Sequence, residues 1–303
     1  MSRPKKLALP LLDGVAASAL HCPSGKWLRV IDFLAERLSR VERADWLARM
    51  ARGEVLDARG HALAPDAPFK PDERIYYYRL LAHEDVVPFE EGIVFQDGLL
   101  LVADKPHFLP VTPKGRYVQQ TLLTRLVRRT GIATLSPVHR IDRETAGLVV
   151  FAIQPETRDA YQALFRERAV HKRYEAIAPW RPDLPLLPAL YRSRLVERED
   201  AFMQMATMPG EPNAETRITL LEHDAEWARY ALEPLSGRKH QLRAQMSALG
   251  RPIKGDRIYP QLMPEEATPD YRAPLQLCAQ AMEFVDPITG APRRFESAQR
   301  LRL

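Results

Sequence analysis

The stretch SPVHRIDRETAGLVVFA, residues 136–152, places a carboxylate inside a basic cluster just before an apolar run. Asp142 lies between Arg140 and Arg143, and the run covers residues 148–153. A carboxylate ahead of a strand is expected at the end of a sheet, partly buried. Nearby guanidinium groups lower an aspartate pKa by roughly 1 to 3 units, so this side chain is expected to stay ionised and to be a competent nucleophile. Taken alone, the stretch favours the alternative of a structural ion pair.

The charge distribution predicts a polyanionic partner. The chain has 303 residues, a net charge of +5 and a pI of about 9.2. Residues 113–173 alone contain twelve Lys and Arg residues against five acidic residues, a surplus larger than that of the whole chain. Such a segment is typical of a phosphate-binding surface, although solvated helix faces are the alternative.

The cysteine and hydropathy patterns predict a cytoplasmic protein. The two cysteines, Cys22 and Cys278, have no metal-type spacing, which indicates a reducing compartment without a disulfide framework. The apolar N-terminus is interrupted by Pro10 and Asp13, so a signal peptide is not expected. No stretch is long enough for a transmembrane helix.

The pattern along the chain predicts three parts. Residues 1–24 are expected to form an extended arm, and residues 25–82 a small helix–helix–hairpin unit whose layout resembles an RNA-binding module. Residues 90–303 mix strands and helices without regular βαβ alternation. We therefore expect an α+β domain with a mainly antiparallel sheet flanked by helices.

A second stretch, LSGRKHQLRAQMSALGRPIKGDRIYP (residues 235–260), combines basic residues with a helix start. Arg243 falls in the first turn of the predicted helix and could direct a bidentate fork at a carboxylate. Gly255 and Asp256 mark a tight turn after the helix. His240 is expected to be a hydrogen-bonded core or capping residue. A metal site is not expected, because His139 and His240 lack carboxylate or thiol companions at ligand spacing.

Four motifs in these regions resemble the RluA family of RNA pseudouridine synthases. HRIDRETAGLVVFA resembles the family signature HRLDxxTSGLLLxA, and KRYEA (residues 172–176) resembles the second motif. GRKHQLR…GRPIKGDRIY resembles GRTHQIRxH…GHPIxGDxxYG, and VADKPHFLPVTP resembles the KPxGLxV stretch. The motifs follow family order from about residue 90 to the C-terminus, which implies the pseudouridine synthase fold.

The chain departs from the family pattern at four positions. Phe108 replaces a glycine, Ala146 a serine, Lys239 a threonine, and Arg251 stands where histidine is common. The position that matches the catalytic aspartate is unaffected, so the departures bear on the choice of substrate.

The resemblance implies a catalytic group of three residues. Asp142 matches the catalytic carboxylate, and Arg243 matches the arginine that pairs with it. Tyr174 matches the tyrosine that packs on the everted uracil and can assist deprotonation at C5. Leu277 matches an apolar wall of the pocket. Without the resemblance, Tyr174 and Leu277 would be interpreted as core residues.

The same resemblance implies an RNA interface. Arg140 matches a position near the displaced base, where a planar guanidinium can stack or bind phosphate. Arg143, together with Arg125, Arg128 and Arg129 on a predicted amphipathic helix, would hold the RNA backbone. Eversion of a base has a free-energy cost of a few kcal/mol, which these contacts would offset.

The implied function is an isomerase that converts specific uridines of structured RNA to pseudouridine without cofactor or metal. Large-subunit ribosomal RNA and a tRNA anticodon stem-loop are the candidate substrates, and a monomer is expected. The main alternative is a non-catalytic RNA-binding or ribosome assembly protein. A glycoside-type hydrolase would need two carboxylates, and only Glu144 is near. Whether Asp142 attacks C1′ or acts as a base at the ribose stays open, as do the target uridines and their number.

Overall fold

The computed structural model describes residues 7, 9–79, 81, 83–198, 203–264 and 270–303. These residues form two compact units. The first comprises the described residues up to Glu84 with Gly115–Gln119 and Val127–Ala133. The second comprises the described residues of Asp85–Lys114, Gln120–Leu126 and Thr134–Leu303.

The first unit packs two helices on a three-stranded antiparallel sheet. Its elements are β1 (Ser18–His21), α1 (Val30–Arg37), α2 (Arg43–Ala51), β2 (Val55–Leu56) and β3 (Arg74–Tyr77), with strand order β1-β3-β2. Apolar residues three and four apart on α1 meet Trp46 of α2 in one buried cluster.

Part of the predicted N-terminal arm belongs to this sheet. Residues 1–6 and 8 of the arm lie outside the described residues. Ser18–His21 instead forms β1, which pairs with β3 in register from Ser18 opposite Tyr77 to His21 opposite Arg74. Cys22, which follows β1, is buried in the helix–sheet core. The arm was difficult to predict as a strand because its partner lies more than fifty residues away in sequence.

The second unit is built on one mixed, mostly antiparallel sheet, which confirms the predicted α+β class. Its elements are β4 (Gly92–Gln96), β5 (Leu100–Lys105), α3 (Leu122–Thr130, which extends into the other unit), β6 (Ser136–Pro137), β7 (Ala146–Ala152), α4 (Arg158–Arg166), β8 (His171–Pro179), β9 (Leu190–Glu197), β10 (Met205–Met208), β11 (Ala214–His223), β12 (Trp227–Pro234), α5 (Gln241–Ala248), β13 (Leu277–Val285) and β14 (Pro292–Glu296). The strand order is β10-β9-β11-β12-β8-β13-β7-β5-β4, with β14 on β13 and β6 on β7.

The hairpin of β4 and β5 at the sheet edge has a turn that a side chain stabilises. The Asp97 carboxylate accepts hydrogen bonds from the backbone N–H groups of Leu99 and Leu100, each at 2.8 Å. These bonds close the turn between β4 and β5, as expected for an Asp-Gly sequence between two apolar runs.

One glycine allows the centre of the sheet to form. Gly147, within β7, has φ +106°, and a Cβ atom built on it would lie 2.3 Å from the carbonyl oxygen of Ala279. Only a glycine therefore lets β13 pair in parallel with β7. This pairing inserts β13, which the sequence pattern did not predict, between β7 and β8 and sets Leu277 opposite Ala176.

Candidate active site

A cavity of about 370 Å³ lies beside the end of β7 and brings the predicted catalytic residues together. Five of the eight predicted site residues line it, namely Arg140, Asp142, Tyr174, Arg243 and Leu277. Other lining residues come from the loop between β6 and β7, from α4, from the start of β8 and from the loop that leads into α5, and include His139, Phe165, Lys172, Lys239 and His240.

Asp142 contacts a buried arginine at the floor of this cavity. Its side chain is 31% exposed, and its Oδ2 accepts a hydrogen bond of 3.2 Å from Nη1 of Arg243. Arg243 is 1% exposed. The carboxylate is therefore partly desolvated, oriented by one guanidinium nitrogen, and still open to a ligand.

The bidentate partner of Arg243 is Asp256 rather than Asp142. The Nε and Nη2 atoms of Arg243 donate to the two carboxylate oxygens of Asp256 at 2.8 and 2.7 Å. Asp256 is fully buried and also accepts the backbone N–H groups of Ile258 and Tyr259. The Asp256 carboxylate fixes the orientation of the guanidinium plane, so that Nη1 is the nitrogen that donates to Asp142.

A glycine turn positions Asp256. Gly255 has φ +77°, and a Cβ atom there would lie 2.4 Å from the carbonyl oxygen of Pro274. The backbone beside it is fixed by the Lys254 N–H, which donates to Ile177 of β8 at 2.8 Å. The sequence predicted the turn, but the role of its aspartate depends on contacts across the fold.

The charges around Arg243 keep it ionised. Burial by itself would lower the pKa of the guanidinium, but the hydrogen bonds and charge of Asp256, with the charges of Asp142 and Glu144, outweigh burial and hold the pKa above its ordinary value. Arg243 is thus a permanent positive charge against Asp142.

Polar side chains anchor the start of α5, which carries Arg243. Gln241 accepts hydrogen bonds from the Ser236 hydroxyl at 2.8 Å and the Arg238 N–H at 3.1 Å, and donates to Glu215 and Thr216 of β11.

His240, directly before α5, has φ +51° and lies 3.9 Å from Asp142. Burial lowers the pKa of His240, so the imidazole is a neutral neighbour of the carboxylate at neutral pH.

Tyr174 and Leu277 lie on adjacent strands at the cavity wall. Tyr174 lies on β8 and is half-buried, whereas Leu277 begins β13 and is buried. Burial, and then the charge of Asp142, raise the pKa of the Tyr174 phenol. The phenol is therefore protonated at neutral pH, which suits packing against a base better than accepting a proton from C5.

The two arginines that flank Asp142 in the sequence differ in their hydrogen bonds and ion pairs. Arg140 is exposed at the cavity, and no hydrogen bond or ion pair joins it to the described residues. The Nε of Arg143 donates to Glu144 at 2.7 Å. Burial would raise the pKa of Glu144, but Arg143 and Arg243 outweigh it and lower that pKa. Glu144 is therefore ionised.

The predicted backbone-binding arginines of α3 are not part of the cavity lining. Arg128 donates to the carbonyl oxygen of Asp13 at 2.8 Å, and its side chain is 36% exposed. Arg129 is exposed near the end of the helix. Arg125, which the same helix face carries, is bound by the carbonyls of Val87 and Phe89 and is structural.

Lys105, which is not among the predicted site residues, stabilises the loop that carries Asp142 through two hydrogen bonds. Its side chain is fully buried at the end of β5, and Nζ donates to the carbonyl oxygens of Pro106 and Arg143, each at 2.9 Å. Burial lowers the pKa of Lys105 to about 7, although Glu144 and Asp142 oppose the change. The sequence feature that could have indicated a role for Lys105 is its position in the VADKP motif.

We expect the stability of the wild-type protein, relative to a Lys105→Met variant, to rise with pH above about 7. The unfolded lysine has a pKa of 10.5 and keeps its proton there, whereas the folded one loses it. Below about pH 7 the difference in the free energy of unfolding between the two proteins is constant, and between pH 7 and 10 it grows by about 1.4 kcal/mol per pH unit. Urea denaturation across this range measures this difference. Parallel pH profiles for the two proteins would contradict the lowered pKa of Lys105.

Two departures from the family pattern have structural explanations. Phe108, in place of glycine, keeps a φ of +65° and packs its buried ring on Phe89 and Tyr271. Arg251 is buried and donates to the carbonyl oxygens of Leu249, Arg181 and Pro185. It therefore fastens the end of α5 to the loop between β8 and β9.

The part of the chain that the structure describes contains no helix with the length and apolar character needed to cross a membrane.

Comparisons with known proteins find relatives by sequence and by structure. A sequence model of the RNA pseudouridylate synthase family matches residues 99–248. The dual-specificity RNA pseudouridine synthase RluA of Escherichia coli strain K12 is 33% identical over 218 residues, which are 68% of this chain and 91% of that protein. The mitochondrial tRNA pseudouridine(32) synthase of Saccharomyces cerevisiae is 31% identical over 171 residues, which are 55% of this chain and 36% of that protein. The solved structure of human RNA pseudouridylate synthase domain containing 4 superposes with a TM-score of 0.53 at 26% identity, covering 69% of this chain and 88% of that one.

Proposed function

Because this chain belongs to the RluA family of RNA pseudouridine synthases, we propose that it modifies uridines of large-subunit ribosomal RNA, of a tRNA anticodon stem-loop, or of both. It is an isomerase that converts uridine in RNA to pseudouridine. The yeast relative is named a tRNA pseudouridine(32) synthase and the E. coli relative a dual-specificity enzyme. These names support tRNA as one target and more than one RNA class in total.

Asp142 is the catalytic carboxylate of this proposal, and its contact with Arg243 is the observation that carries it. The reaction breaks the bond between N1 and C1′, turns the uracil, joins C5 to C1′, releases the C5 proton and leaves a proton on N1. A carboxylate at the open floor of a cavity suits attack on C1′ or removal of a ribose proton. Either route uses a carboxylate oxygen, and the hydrogen bond from Nη1 of Arg243 to Oδ2 fixes the direction of this group.

The other site residues receive supporting roles in this proposal. Arg243 acts through Asp142 and is itself held by Asp256. Tyr174 packs its neutral phenol on the everted base, and Leu277 supplies an apolar wall. Arg140 stabilises the gap that the base leaves, since its guanidinium is exposed at the cavity. Arg143 contributes positive charge for the RNA backbone while it also holds Glu144.

The contacts of Glu144 argue against hydrolase chemistry. A glycosidase needs one carboxylic acid with a raised pKa to protonate the leaving group. Glu144 accepts a hydrogen bond from Arg143, and its pKa is lowered rather than raised. Free uracil among the reaction products would favour the hydrolase.

The substrate proposal is tested by mapping pseudouridines in unmodified transcripts. Large-subunit ribosomal RNA and tRNA transcripts are incubated with the protein, labelled with a carbodiimide and sequenced. We expect new pseudouridines at defined uridines of at least one transcript. Modification of neither RNA, by a protein that modifies other RNA, would refute the substrate proposal and leave the isomerase activity intact.

Arg128 and Arg129 are proposed to bind the RNA backbone. Replacing both with alanine is expected to weaken RNA binding and to flatten its salt dependence by about 0.7 to 0.9 in log–log slope for each phosphate that the protein no longer neutralises. Fluorescence anisotropy at several salt concentrations measures the slope. The matched control, Arg272→Ala with Arg294→Ala, removes equal charge from two exposed arginines. An unchanged slope in the α3 variant would place these arginines off the RNA path.

A cytoplasmic location, a monomeric state and independence of metal or cofactor stay predictions from the sequence.

A further inference from the structure

Lys172 lies in the active-site cavity on the same strand as Tyr174. The two residues are separated by one position on β8, and side chains two apart in a strand lie on the same face of the sheet. Both line the cavity. In the sequence, Lys172 is one of the twelve basic residues of segment 113–173.

The Lys172 ammonium is partly desolvated without a carboxylate beside it. Burial, and then the charge of Arg168, lower the pKa of Lys172. Within the described part of the chain, no hydrogen bond or ion pair engages its Nζ. A half-buried cation that is also repelled by the positive charge of Arg168 is unfavourable unless an anion arrives with a ligand.

The nearest cavity groups do not supply that anion. The His139 ring stacks on Phe165 with ring centroids 4.3 Å apart, and its Nε2 accepts the Val150 N–H at 3.0 Å. Burial, and then the charge of Lys172, lower the pKa of His139 to about 3. His139 is therefore neutral, and it lines the cavity with Lys172 and the uncharged ring of Phe165.

We propose that Lys172 binds a phosphodiester oxygen of the RNA next to the everted uridine and so positions that nucleotide over Asp142. The permanent anions of an RNA substrate are its phosphodiesters, whereas uracil is neutral until its glycosidic bond breaks. A lysine at the cavity can therefore fix the backbone on which the target nucleotide turns. This inference rests on the proposed placement of the target nucleotide at Asp142.

Binding and turnover of a Lys172→Met variant separate a phosphate contact from a contact to the base. The probe is the ribosomal RNA or tRNA transcript that the wild-type enzyme modifies, and Kd is measured in the Asp142→Asn background so that the RNA stays unmodified. We expect Kd and KM to rise about 10-fold or more, the log–log salt slope to fall by about 0.7 to 0.9, and kcat to stay within a few fold. Lys172→Arg should restore most of the binding.

A neutral methylphosphonate at the phosphates flanking the target uridine provides an independent test. It should weaken binding of the lysine-containing protein and have little further effect on the Lys172→Met protein. The control Lys254→Met removes a lysine that packs over Trp227 outside the cavity, and it should leave Kd and slope unchanged.

Three results would overturn the proposal: a reduced kcat with unchanged Kd, additive effects of methylphosphonate and Lys172→Met, or the same slope change in the Lys254→Met control. If instead the Asp142→Asn enzyme turns over normally, the placement of the target nucleotide has failed, and that outcome is distinct from a failure of the Lys172 contact.

Discussion

Replacing Asp142 with asparagine is expected to abolish pseudouridine formation while RNA binding stays within a few fold of wild type. The amide keeps the size of the side chain and can still accept the hydrogen bond from Nη1 of Arg243. It loses the negative charge and the lone-pair basicity that either route at the ribose requires. We expect turnover to fall roughly 10⁴-fold or more, measured as tritium release from RNA that carries uridine labelled at C5.

The matched control is Glu144→Gln, which makes the same carboxylate-to-amide change two residues away. Glu144 is held by Arg143, and its chemistry is not used in the proposed reaction. Turnover of this variant should remain near wild type. Normal tritium release by Asp142→Asn would refute the assignment of Asp142, and a loss of activity only in Glu144→Gln would transfer the catalytic role to Glu144.

The second large effect is expected from Asp256→Asn, through the charge of Arg243. The guanidinium is 1% exposed and Asp256 is fully buried, so the substitution leaves a buried positive charge that lacks its bidentate partner and keeps the carboxylates of Asp142 and Glu144. Breaking a buried pair in this way typically destabilises a protein by about 3 to 5 kcal/mol. Nη1 also loses its fixed direction, so turnover should fall even at temperatures where the variant is folded.

Urea denaturation and the tritium assay measure the two consequences separately. The control is Asp183→Asn, because Asp183 also forms a two-point contact with an arginine, Arg181, but at the surface with both side chains exposed. Exposed pairs contribute little to stability, so this control should resemble wild type in both assays. An Asp256→Asn protein with wild-type stability and turnover would show that Asp256 does not hold the catalytic pair.

Local sequence patterns predicted most elements around the site but failed for β13. The Asp-Gly turn, β7, β8 and α5 each have a signal within their own residues, such as apolar alternation or a glycine stop. β13 lacks such a signal because its place depends on distant partners, β8 on one side and β7 on the other. The parallel pairing needs the missing Cβ of Gly147, a requirement visible only when Ala279 lies against it.

The amino-acid sequence by itself determined the family, the α+β class and the identity of the candidate carboxylate, because motif residues and apolar periodicity are properties of short segments. Only the tertiary structure decided how charge is distributed around Asp142. In the folded protein Asp256, and not Asp142, forms the bidentate hydrogen bonds with Arg243. Buried Lys105 donates to the loop that carries Asp142, and Lys172 has no carboxylate partner among the described residues. Asp142 and Arg243 are 101 residues apart in the chain, and the pKa of Arg243 depends on burial and on neighbours that folding alone brings within a few ångström.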